Sequence, residues 1–360
     1  MCTLTAPNQY NGPFYRFPNS QTVPNNTICD YIILNIKQSP DGSYNGSSYM
    51  FLRAHTNRYL FTLDNSVTFH EMKDRLLKQP FMTSVNKIRE ILDLHGFGFF
   101  TLDTTDVLDY TDTDIDFLKL IFQHLNQILN KLGVLTPFNF FSFKLENPRL
   151  TLVEYATFLD KINGIASIVI IFTTTDVQSL QPQPSTAWNL HCLYSFIEPT
   201  LEDALNLIYN VPEPLNRFAL TLSLRMDVYR KTDLSDIYQT SPDETLAEAR
   251  SDQHLLRNFD EECYPAVYRN DPTGYYFKYL SKGCCNFAKY TGQAVKGVAS
   301  FETSRSIEDK MTSSKSMLQQ LGIHSTHIVG WLAHDVTFNL ARELCGGKAN
   351  RLLKMRELVP

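Results

Sequence analysis

Between Ile165 and Phe172 the chain reads Ile-Ala-Ser-Ile-Val-Ile-Ile-Phe, an almost unbroken run of apolar and β-branched residues. A strand of this kind has no polar face to offer water, so it must be covered on both sides, and that requirement restricts the folds open to the chain. A second constraint lies upstream. Leu118, Ile121, Phe122, Leu125, Ile128, Leu129 and Leu132 recur at helical spacing, which predicts an amphipathic helix over 115–132 ended by Gly133. The earlier apolar positions Met72, Leu76 and Leu77, then Val85, Ile88, Ile91, Leu92 and Leu94, predict helix from Phe69 up to Gly96. Phe97 to Leu102 then reads as a buried strand with a close backbone approach at Gly98. The acidic and threonine-rich run from Asp103 to Asp116 lacks the glycine and closing glutamate of a calcium loop, so it predicts a loop and a helix N-cap.

The first forty-four residues, rich in Pro, Asn, Gly and Tyr, read as an irregular arm with one strand at Tyr31 to Ile36. Residues 1–68 are expected to form this arm and edge strands, and residues 69–360 a single domain. A chain of 360 residues, 43% hydrophobic and 20% charged, can bury a sizeable core. Its net charge of -5 is spread without a basic block, which argues against nucleic acid as a partner. No apolar run is long enough to span a membrane, and no basic segment followed by an apolar stretch opens the chain, so a cytoplasmic location is expected. The seven cysteines show no C-x-x-C pairing, and most are expected to be reduced, buried thiols. In that setting the sequons at Asn25 and Asn45 carry no weight.

The closing segment runs Ile328-Val329-Gly330-Trp331-Leu332-Ala333-His334-Asp335, then Asn339 to Cys345-Gly346-Gly347, then Arg351-Leu352-Leu353-Lys354-Met355-Arg356. It resembles the last strands of iron- and 2-oxoglutarate-dependent oxygenases of the taurine dioxygenase and clavaminate synthase type. The block from Val85 through the Gly-Phe strand and helix to Leu132, and the strand that leads into Thr173-Thr174-Thr175-Asp176, resemble the same family in the same order. The resemblance implies an α+β fold: a double-stranded β-helix, or jelly roll, over roughly Val153 to Leu358, buttressed by the helices from Phe69 to Leu132. It also implies Fe(II) and 2-oxoglutarate as cofactors and a small-molecule substrate. Asp176 would be the metal carboxylate and candidate acid/base group, while Thr174 and Cys345 stand at the two histidine positions. His191 is the alternative ligand, read otherwise as a packed strand histidine. Arg351 and Thr200 would hold the 2-oxoglutarate carboxylate, with Arg356 as the fallback arginine. Two functions follow from the resemblance: a small-molecule-modifying enzyme with an altered or lost iron site, or a catalytically inactive pseudo-oxygenase that binds a ligand or protein partner. His324, His327 and His334 read as surface histidines.

A separate chemistry is suggested by Met1-Cys2-Thr3, since removal of Met1 would expose Cys2 as an N-terminal nucleophile. Pro7, Gly12, Pro13 and Pro18 interrupt the strands such enzymes need directly after that residue.

Overall fold

The structure is a computed structural model. It describes residues 1–5, 23–35, 52, 53, 55, 57–63, 72, 74, 76, 79–102, 110–145, 151–172, 201–211, 217–231, 253–257, 275–280, 285–291, 296–323, 328–334, 336 and 351–359. The first strands in chain order are β1 (Cys2–Thr5), β2 (Tyr31–Asn35) and β3 (Arg58–Leu63). They are followed by α1 (Gln79–Ile91), β4 (Asp93–Leu102), α2 (Asp112–Lys131), β5 (Phe140–Lys144), α3 (Leu152–Lys161), β6 (Ile168–Phe172), α4 (Leu201–Asn210) and β7 (Arg217–Ser223). Next come β8 (Met226–Lys231), β9 (Gln253–Arg257), β10 (Tyr275–Leu280), β11 (Cys285–Thr291) and β12 (Lys296–Phe301), then α5 (Ser304–Gln320), β13 (Ile328–His334) and α6 (Arg351–Leu358).

Strands β1 to β7 and β13 close into an eight-stranded barrel in the order β1-β13-β7-β6-β5-β4-β3-β2, and every pairing in it is parallel. Helices alternate with the strands from β3 onward, as parallel neighbours require, because the chain must return to the same end before each new strand. This is the TIM-barrel arrangement. Between β7 and β13 the alternation is interrupted by a five-stranded antiparallel sheet of order β10-β11-β12-β8-β9.

The barrel overturns the expected α+β jelly roll. A double-stranded β-helix is built of antiparallel strands, whereas β6 pairs in parallel with both β5 and β7 and is buried at every position from Ile168 to Phe172. The uninterrupted apolar run is thus explained by helices on one side and the barrel lumen on the other. Of residues 1–68, the stretches Cys2–Thr5, Tyr31–Asn35 and Arg58–Leu63 are barrel strands.

Two cores follow from closure. Residues facing the helices form the larger one, which contains Leu118, Ile121, Phe122, Leu125, Ile128 and Leu129 of the stripe read from the sequence, with Leu132 packed against it and Ile115 buried beside them. The smaller holds Ile33, Leu60, Phe140, Ile168, Ile170, Phe172, Ala219 and Leu332, all from barrel strands, and fills the lumen. At Gly98 a Cβ would collide with the carbonyl oxygen and ring of Phe140 on the next strand, so the close approach expected there is present.

Helix ends are specified locally. Thr111 with Asp114, Thr151 with Glu154 and Thr303 with Ser306 form reciprocal capping boxes on α2, α3 and α5. Gly133, just past α2, takes a φ of 87°, which a β-carbon would disfavour. The helix expected to run to Leu94 ends at Ile91, because Leu94 and Gly96 already belong to β4.

Candidate site at the carboxyl ends of the barrel strands

In a closed parallel barrel, side chains alternate between lumen and helix layer, so the lumen-facing core residues fix the parity of every strand. Cys2 and Leu4 pack in the outer core, which turns Thr3 inward. Two residues beyond inward-facing Leu60, Phe140, Ala219 and Leu332 come Thr62, Ser142, Thr221 and His334, and Ser223 lies two beyond Thr221. All six are buried. Strands β3, β5, β7 and β13 therefore change from apolar to hydroxyl-bearing or imidazole side chains as they approach their carboxyl ends, the end at which parallel barrels place their sites, while β6 stays apolar to Phe172.

Most of these hydroxyls are anchored across the sheet. Thr62 Oγ1 donates to the Leu34 carbonyl at 3.3 Å, Ser142 Oγ to Phe99 O at 3.1 Å and Thr221 Oγ1 to Ile171 O at 3.2 Å. Thr3 Oγ1 and His334 Nδ1 share a hydrogen bond of 3.0 Å, and the Phe172 ring meets the imidazole edge-on with centroids 5.1 Å apart. Ser223 pairs in register with His334 across β7 and β13, yet its hydroxyl is buried without a hydrogen-bond partner. An orphaned buried hydroxyl costs about 1–3 kcal/mol unless a ligand or water completes it. The described lining can thus donate and accept hydrogen bonds. Among the described inward-facing side chains at this end of the barrel there is no carboxyl group.

Behind this rim lies a second buried polar group. Arg351 Nη1 donates to the carbonyls of Leu224, at 2.9 Å, and Glu302, at 3.2 Å. These two carbonyls bracket the inserted sheet, one just before β8 and one just after β12. The Glu302 carboxylate pairs with the Lys310 ammonium, both buried, and accepts from Ser306 Oγ at 2.6 Å. Arg351 therefore ties both ends of the insertion to the barrel.

A cavity of about 250 Å³ occupies the opposite, amino-terminal face, among Met1, Tyr31, Phe138, Ile168, Arg217 and Trp331 at the starts of the strands. Parallel barrels place their chemistry at the other end of the strands, so this cavity is not taken as the site.

The residues expected to carry function are mostly placed elsewhere or not described. Asp176, His191, Thr200 and Cys345 lie outside the described residues, as do Thr174, His324 and His327. Arg351 was expected on a closing strand, gripping a carboxylate. It opens helix α6, where burial at Leu352 and Met355 with exposure at Leu353 follows helical rather than alternating spacing, and its partners are backbone carbonyls. The fallback, Arg356, pairs with Asp30 at 3.1 Å near the amino-terminal face. His334, expected at the surface, is 2% exposed, because closure of the barrel turns it inward.

Cys2 and Cys29 form a disulfide with Cα atoms 5.8 Å apart, which corrects the expectation of reduced thiols for this pair. It also removes Cys2 as a nucleophile, since a disulfide sulfur has no thiolate to attack with. Ser223 and the hydroxyl series escaped the sequence reading. Their signal was the alternation Leu60/Thr62, Phe140/Ser142 and Ala219/Thr221/Ser223, legible only once the strands are known to share a lumen.

The sequence matches no protein-family model and no curated protein. Among solved structures, the chain is similar to the immunomodulatory active chitinase from Trichuris suis, with a TM-score of 0.66 at 14% identity over 99% of this chain and 98% of that one. It is also similar to a class V chitinase mutant from Cycas revoluta in complex with (GlcNAc)3, with a TM-score of 0.63 at 11% identity over 99% and 98%. A third is the chitinase-like agglutinin from Robinia pseudoacacia, with a TM-score of 0.60 at 11% identity over 99% and 98%. At such identities the likeness shows the fold alone, and that fold is a closed eight-stranded parallel barrel rather than the oxygenase jelly roll. The resemblance to the taurine dioxygenase type, its oxidoreductase activity and its Fe(II) and 2-oxoglutarate are withdrawn with it. Among the described residues no group of three or more His, Cys, Asp or Glu could hold a metal ion. No described helix is long and apolar enough to cross a membrane.

Proposed function

We propose that the chain is a chitinase-like barrel that binds oligosaccharides of N-acetylglucosamine at the carboxyl ends of its strands and does not cleave them. The observation that carries this reading is the lining: Thr3, Thr62, Ser142, Thr221, Ser223 and His334 face inward with no described carboxyl group among them. Hydroxyl and imidazole groups complement sugar hydroxyls and acetamides, which both donate and accept. Cleavage of a glycosidic bond needs a carboxylic acid to protonate the leaving oxygen. The agglutinin and the (GlcNAc)3 complex among the similar structures support the choice of ligand and of binding without turnover.

Hydrolysis is the second reading. It is favoured by Asp103 and Asp106, which follow β4 directly in the sequence, and by the active chitinase among the similar structures. The Cys2–Cys29 bond supports an oxidising compartment in place of the cytoplasm.

Titration calorimetry with the tetramer of N-acetylglucosamine, followed by chromatography of the mixture, separates the readings. Saturable binding with the tetramer recovered intact is expected. No binding overturns the proposal, and shortened products transfer it to the hydrolytic reading, with Asp103→Asn and Asp106→Asn as the next variants.

A further inference from the structure

We infer that Asn25 is a site of N-linked glycosylation. The sequence Asn25-Asn26-Thr27 is an acceptor sequon, and all three residues are exposed. The turn presents the side chain in a defined way. Asn25 Oδ1 accepts from the backbone N–H of Thr27 at 3.2 Å and from Thr27 Oγ1 at 2.5 Å, an Asx turn whose hydrogen bonds use the amide oxygen of this exposed residue. The Asn25 carbonyl in turn accepts the N–H groups of Ile28 and Cys29, at 3.1 and 3.0 Å. On either side the turn is fixed to the barrel: Asn57 Nδ2 donates to Pro24 O at 2.6 Å, and Cys29 is bonded to Cys2 of β1.

The disulfide is the independent observation. A bond between Cys2 and Cys29 forms in an oxidising compartment, and in a eukaryotic cell that is the compartment where asparagine is glycosylated. The premise that set the sequon aside was a cytoplasm with reduced thiols, and the Cys2–Cys29 pair removes it. Position is also permissive. Asn25 precedes the start of β2, so it lies toward the amino-terminal face, and a glycan there stands away from the hydroxyl-lined end of the barrel.

The transfer balances with a polyprenyl-diphosphate-linked oligosaccharide as donor. Asn25 Nδ2 forms a bond to the sugar C1, the bond from C1 to the phosphate oxygen breaks, the lipid diphosphate leaves, and the amide proton passes to a base on the transferase. The inference does not depend on the function proposed above.

The test is peptide mass spectrometry of the full chain secreted from a eukaryotic host, before and after peptide-N-glycosidase treatment. The peptide containing Asn25 should carry hexosamine-rich mass that the enzyme removes, converting Asn25 to Asp. Thr27→Ala should abolish the modification while Asn25 remains, and Thr27→Ser should preserve it. Recovery of an unmodified Asn25 peptide from wild-type protein whose Cys2–Cys29 bond has formed overturns the inference, whatever the variants do.

Discussion

Replacing Lys310 by Met tests the buried ion pair that helps hold the insertion in place. Glu302 and Lys310 are 1% and 2% exposed, so neither charge can fall back on water. Methionine keeps most of the lysine stem's volume but removes the ammonium, which leaves the Glu302 carboxylate with the Ser306 hydroxyl as its hydrogen-bond donor. Breaking a buried pair in this way costs about 3–5 kcal/mol, most of it the unmet solvation of the remaining charge. The unfolding entropy of about 2.1 cal/mol/K per residue, taken over 360 residues, amounts to about 0.76 kcal/mol/K. Scanning calorimetry should therefore show the melting temperature of Lys310→Met lowered by about 4–7 °C. Adding Glu302→Gln removes the stranded charge, so the double variant should recover most of the loss. A single variant melting within about 1 °C of wild type, or a double variant less stable than the single, would refute the reasoning.

Gly98→Ala places a methyl group against the Phe140 carbonyl, which cannot move without distorting β5, so a loss of about 3 kcal/mol is expected in chemical denaturation; an unchanged midpoint contradicts the close approach. Cys29→Ser opens a loop whose ends are 27 residues apart, and the chain-entropy relation puts the loss at about 3.5 kcal/mol. Wild-type protein under reducing conditions should lose a similar amount, and an equal melting temperature with and without reductant would mean that the bond does not form. Burial first, and Lys131 second, hold the His124 imidazole below its ordinary pKa. The unfolded chain therefore takes up that proton before the folded one, and stability falls as pH drops below about 6.5. His124→Gln should flatten this part of the stability-against-pH curve, and parallel curves for variant and wild type would show that the histidine plays no part.

Local structure was more legible in the sequence than topology. The α2 stripe, the glycine at 98 and the wholly buried strand, read at 165–172 and observed at 168–172, each follow from spacing within a few residues. Closure depends on distant pairings such as Cys2 with Ala333 and with Ile32. The strands that make those pairings, Cys2–Thr5 and Tyr31–Asn35, are only four and five residues long and sit among turn-rich sequence. Insertion of an antiparallel sheet after β7 further hid the alternation of strand and helix that marks a parallel barrel. The same gap explains the site. Ser223 and His334 lie 111 positions apart in the chain and become neighbours only through the β7–β13 register. Arg351 drew a ligand role from the resemblance to the oxygenases' closing strand, and its helical burial pattern, with Leu352 and Met355 buried and Leu353 exposed, overturns that register.

The account rests most heavily on where an oligosaccharide sits, and a crystal structure of the protein with the tetramer of N-acetylglucosamine tests that directly. The sugar is expected over the carboxyl ends of β7 and β13, uncleaved, with a polar atom or bridging water satisfying Ser223 Oγ. Sugar bound instead in the cavity among Tyr31, Phe138 and Trp331, or a barrel left empty at saturating ligand, would contradict it.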